Sequence, residues 1–88
     1  TDTLTGRAIT ALLEERFDEA SSLARQALLA DPENDSLAVL YLIKGLGESQ
    51  QGNTDEAIED LTRALAYGFT NPESRALAQN ELSRLTGR

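Results

Sequence analysis

The chain has 88 residues with neither cysteine nor histidine, and its fifteen acidic against eight basic residues give a formal net charge of −7. That length holds one domain with a modest core, and the missing residue types exclude a disulfide framework, thiolate or imidazole metal sites and the commonest general base. A surface this acidic repels phosphate backbones and anionic headgroups, so nucleic acid and membrane are poor partners.

The longest apolar run, Leu37 to Ile43, is seven residues, far short of the roughly 20 that a membrane span needs, so no membrane insertion is expected. Residues 1–6 have neither the charged start nor the apolar centre of a signal peptide. With no initiating methionine, the sequence reads as a processed product or an excised domain. Cytoplasm and periplasm are equally compatible with it.

Glycine and proline punctuate the chain sparingly, and the segments between them follow a helical period. A first helix is expected over about residues 3–14, with Leu4, Ala8, Ala11 and Leu12 along one side. A second, over about 18–30, places Ala20, Leu23, Ala24, Ala27 and Leu28 on one stripe. Asp18 and Glu19 fall in its first turn, where the helix dipole favours them. Pro32 then stops the ladder, and Asn34 or Asp35 can cap the third helix. That helix, about 36–51, is apolar around its whole circumference from Leu37 to Ile43, so it must be covered on several sides. Gly52 suits a left-handed stop, and Asn53 or Thr54 the next cap. The fourth, about 55–67, buries Ala57, Ile58, Leu61, Ala64 and Leu65, ends at Gly68, and lets Phe69 fold back over its last turn. Asn71 before Pro72 is a cap followed by a first-turn proline. It opens a fifth helix over about 72–86, with Ala78, Leu82 and Leu85 on one side and polar residues elsewhere, as in a terminal lid. No strand pattern occurs, and the short connections imply antiparallel helical hairpins.

The chain also repeats itself. Asp18, Glu19 and Ala20 return as Asp55, Glu56 and Ala57, 37 positions on, and Ala27 and Leu28 return as Ala64 and Leu65. A unit that recurs within so short a chain is a stacking unit. Ala20, Ala27 and Pro32 in the first unit, and Tyr41, Gly45, Gly52, Ala57, Leu61 and Ala64 in the second, resemble the small-large-small pattern of tetratricopeptide repeats. Small residues at Ala8, Ala20 and Ala27 let two backbones approach closely, and Phe17 plugs the turn. The resemblance covers Leu4 to about Phe69. It departs from the family in its 37-residue spacing rather than 34, in Gly68 and Phe69 where the second unit would carry proline, and in Ala24 and Glu15, which replace a large residue and a glycine.

The resemblance implies an all-α fold of five helices, with hairpins over about 3–30 and 36–67 and a capping helix over about 72–86. These would stack as a short right-handed superhelix in a single domain over 1–88. It further implies a concave groove lined by the first helix of each hairpin: Thr5, Ile9, Leu12 and Leu13, then Val39, Leu42, Ile43 and Leu46. A carboxylate clamp of lysine and asparagine is not expected, because neither type appears there and Lys44, the chain's one lysine, should face away. An aliphatic groove suits the apolar face of a helix or a short extended peptide. In the competing reading, Leu12, Leu42 and Ile43 are core between the first and fifth helices.

Catalysis is not expected. Ser21 and Ser22 lack a histidine to activate them, and Glu14 and Glu15 point about 100 degrees apart on a helix. The acidic group Asp55, Glu56, Glu59 and Asp60 reads as a solvated first turn, with neither metal nor cofactor. Tyr41 and Tyr67 read as packing aromatics. The expected function is thus a non-catalytic adaptor or scaffold module that binds a protein segment. The alternative is a structural element that self-assembles into homo-oligomers.

Overall fold

The computed structural model describes residues 3–30 and 37–87. It consists of helices α1 (Leu4–Leu13), α2 (Phe17–Ala30), α3 (Leu37–Gln50), α4 (Thr54–Tyr67) and α5 (Pro72–Thr86), with no strand among the described residues. The expected spans agree to within a residue or two at each end. The expected connector, with its Pro32 stop and its Asn34 or Asp35 cap, lies outside the described residues, as does Ser36.

The helix ends follow from local chemistry. Thr3 caps α1 by accepting the Gly6 amide at 3.0 Å, and Asn71 caps α5 by accepting the Glu73 amide at 2.8 Å, just ahead of Pro72. After α3, Gly52 takes a left-handed φ of 85°, and the amides of Gly52 and Asn53 reach back to the carbonyls of Ser49 and Glu48. After α1 the same pair of bonds runs from Glu15 to Leu12 and from Arg16 to Ala11, with Glu15 held at φ 60°. Glu15 stands where Gly52 stands one unit later. A side chain in that conformation costs about 1–2 kcal/mol, so the second hairpin turn is relaxed and the first is strained.

α3 is the centre of the packing. α2 lies against α1 and α3, α4 lies against α3 and α5, and α3 also meets α1 and α5. Among the described residues, neither α1 and α5 nor α2 and α4 touch. α1, α3 and α5 thus form one row, and α2 and α4 a second. The all-round apolarity of α3 is used on two sides. Leu40 and Ile43 enter a cluster with Ala8, Ala11, Ala20, Ala24 and Ala27, while Ala38 and Leu42 enter another with Leu61, Ala64, Phe69 and Ala78. Leu40 and Leu61 are the largest fully buried side chains, each worth about 1.5–3 kcal/mol in transfer from water.

Two glycines of α3 set how closely it is approached. A Cβ on Gly45 would lie 2.9 Å from Leu61 Cγ on α4, and one on Gly47 would lie 2.8 Å from the Phe17 carbonyl oxygen on α2. One glycine therefore seats the helix of its own hairpin and the other seats the preceding hairpin.

Candidate interaction groove

In the row α1, α3, α5, α2 meets α1 and α3 while α4 meets α3 and α5, and α1 carries two large exposed apolar side chains. Leu13 is 78% exposed and Ile9 39%, and Thr5 beside them is half-buried. Leu12 is partly buried against the first cluster, Val39 against both clusters, and Leu46 against the second. Leu42 and Ile43 differ from the expected lining. They are 5% and 2% exposed and therefore buried in this structure. They are core, as in the competing reading, on a helix that meets both α1 and α5. Ile43 faces α1 and α2, and Leu42 faces α4 and α5. The physical reason is that a helix at the centre of a five-helix body has most of its circumference covered.

Leu77 on α5, 54% exposed, was not among the expected residues. It precedes Glu81 and Arg84 by four and seven positions, on their stripe of the helix. Both of those side chains bond to Ser49 of α3, which turns the stripe toward α3. That helical spacing is the signal in the sequence, masked by the stronger apolar stripe of Ala78, Leu82 and Leu85.

Beside the two apolar clusters, the contacts of α3 with α2 and α4 include a polar set that is internally satisfied. Lys44 Nζ meets Asp60 Oδ2 of α4 at 2.7 Å, with both side chains largely buried, in keeping with a lysine that faces away from the groove. Burial raises the Asp60 pKa above the usual carboxylate range, against the opposing hydrogen bond and charge of Lys44, with Glu48 and Glu59 adding repulsion. Glu48 is buried one turn on, and its carboxylate accepts the Asn53 side-chain amide at 2.6 Å. Asn53 does sit at the start of α4, yet its side chain makes no cap there because Glu48 takes it. Gln51 Nε2 donates to Ser21 Oγ at 3.0 Å and ties α3 to α2. Tyr41 and Tyr67 stack with centroids 5.6 Å apart, and Arg63 lies over the Tyr41 ring. Among the described residues no buried side-chain nitrogen or oxygen lacks a partner.

The expected acidic group divides. Asp55, Glu56 and Glu59 are exposed, whereas Asp60 is paired in the interior. Among the described residues no set of acidic side chains is placed to hold a metal ion.

Family models, curated proteins and solved structures yield no match to this chain. Two further observations complete the surface. A cleft of about 540 Å3 runs between α1 and α2, bordered by Thr3, Gly6, Thr10 and Leu23 with Arg7, Arg16 and Glu19. In the 37-residue offset, Thr3, Gly6 and Thr10 correspond to Leu40, Ile43 and Gly47, of which Gly47 lies directly against α2. No helix of the described residues is long and apolar enough to cross a membrane.

Proposed function

We propose that this chain is a non-catalytic protein-binding module of the tetratricopeptide type, an adaptor or scaffold element. The partner is a short apolar segment, helical or extended, held along the open side of the α1, α3, α5 row. The carrying observation is the exposure of Leu13 and Ile9 on α1, with Val39 and Leu46 half-covered on α3 and Leu77 exposed on α5. Apolar side chains grouped on an uncovered helix row are suited to an apolar partner. The residues that would line the groove are Thr5, Ile9, Leu12, Leu13, Val39, Leu46 and Leu77. Catalysis finds no support in the side chains available, which include no histidine or cysteine. Ile9→Glu and Leu13→Glu are expected to abolish partner capture while leaving the helical circular dichroism signal intact. Retained capture by both variants would refute the groove.

A second reading, self-association, is favoured by the open α1–α2 cleft. Its Thr3, Gly6 and Thr10 repeat the positions through which α3 receives α2. In this reading a helix of another copy lies there. Sedimentation over a range of concentrations tests it, and a strict monomer throughout removes it.

A further inference from the structure

α5 is attached more thinly than the other helices. Among the described residues it meets two helices, α3 and α4, as α1, α2 and α4 each meet two, but Ala78 is its one buried residue. Leu82 and Leu85 meet the second apolar cluster from half-covered positions. This thin apolar contact is supplemented by a polar clasp at the last turn of α3. Ser49 Oγ donates to the Glu81 carboxylate, Arg84 Nη2 donates to Ser49 Oγ at 2.8 Å, and Arg84 Nε donates to Glu81 Oε1 at 3.0 Å. Across the helix, Arg75 Nη2 donates to the Phe69 carbonyl at 3.1 Å. The lead-in from α4 is short and begins at Gly68, in a left-handed φ of 85°.

We propose that α5 is a latched lid, which opens as a unit from a body formed by α1 to α4, and that the Ser49, Glu81 and Arg84 cluster is the latch. Lifting α5 forfeits the cover of Ala78 and part of Leu82 and Leu85, together with the clasp. It leaves the first apolar cluster whole, because every member of that cluster lies on α1, α2 or α3. An element bound by few buried apolar contacts opens at lower free energy than the molecule unfolds. Opening uncovers Ala64, Phe69 and Leu42, which α5 otherwise shields through the second cluster. The closed state protects that face from unwanted association. The lid carries Leu77 of the proposed groove, but it is argued from an intramolecular contact and from the cover of the second apolar cluster, so it does not depend on a bound partner.

Residue-resolved amide hydrogen exchange on the full chain tests the lid. In the wild type, α5 amides are expected to exchange at least about ten-fold faster than the slowest α3 amides, which report global unfolding. Ser49→Ala removes both hydrogen bonds of the Ser49 hydroxyl. It should raise α5 exchange about ten-fold more while leaving the α2 and α3 amides unchanged. Glu81→Gln, which keeps the shape and weakens the clasp, should shift α5 in the same direction. Equal protection of α5 and α3 in the wild type overturns the proposal. So does a Ser49→Ala variant in which all helices accelerate together or α5 does not change.

Discussion

Replacing Gly47 by alanine tests the close approach of α2 to α3 through the sign of its effect. In a helix interior, alanine is favoured over glycine by about 1 kcal/mol, so a methyl group that merely fitted would stabilise the protein. Here the new Cβ would lie 2.8 Å from the Phe17 carbonyl oxygen and 3.0 Å from Ser21 Cβ. Ordinary carbon–oxygen contact begins at roughly 3.3 Å, so α2 would have to withdraw by about 0.5 Å. Its backbone is held there by Ala20 and Ala24, both fully buried, and overpacking of this kind costs about 1–3 kcal/mol. The balance is a net loss of about 1 kcal/mol, which lowers the melting temperature by roughly 4–8 °C in a domain of this size. Thermal unfolding followed by far-ultraviolet circular dichroism measures it. A Gly47→Ala protein with a raised melting temperature would refute the reasoning and would mean that α2 sits farther from α3.

Glu15→Gly should stabilise the chain by about 0.5–1 kcal/mol. It relieves the left-handed strain at φ 60° while giving back some backbone entropy, and chemical denaturation would show the gain. Lys44→Met should destabilise by about 3 kcal/mol, because Asp60 keeps its burial and loses its cation. Lys44→Met with Asp60→Leu should recover most of that, and the recovery separates a buried pair from a screened surface pair. The Glu81 carboxyl is held below its ordinary range, first by the Arg84 hydrogen bond and then by the Ser49 hydrogen bond and the Arg84 charge, against burial. Its contribution is therefore complete above the unfolded glutamate value of about 4.3 and is lost as the pH falls through the lower folded value. Asp60 has the opposite sign, since its raised pKa lets acid relieve a cost. The stability difference between the wild type and Glu81→Gln, followed into acid, isolates the Glu81 part and should shrink as the pH falls.

The helices were legible because the signals for them are local. Gly52, Gly68 and Asn71 with Pro72 mark ends through backbone chemistry that acts within a few residues. The strained turn at Glu15 was not legible in the sequence, where Glu14 and Glu15 read together as helical; the structure ends α1 at Leu13 and holds Glu15 at φ 60°, at the position that Gly52 takes one unit later. The two apolar faces of α3 were not separable in the sequence. Seven consecutive apolar residues carry no period, so nothing distinguishes Leu42 and Ile43, which are buried, from Val39, which is half-covered. Asn53 was placed correctly at a helix start, but its hydrogen bond depends on a buried Glu48 that no local pattern reveals. Leu77 was missed because its role depends on the side of α5 that Ser49 engages, a tertiary contact.

Two equally exposed leucines allow the groove to be tested against ordinary surface stickiness. Leu13 is 78% exposed on α1, in the α1, α3, α5 row, and Leu29 is 76% exposed on α2, outside that row. Glutamate at either site should leave folding within about 0.5 kcal/mol of the wild type. The most direct measurement compares capture of the same native partner, identified by mass, by the wild type, Leu13→Glu and Leu29→Glu. The groove predicts that Leu13→Glu loses the partner and Leu29→Glu keeps it; equal capture by the two variants, or loss only with Leu29→Glu, would contradict it.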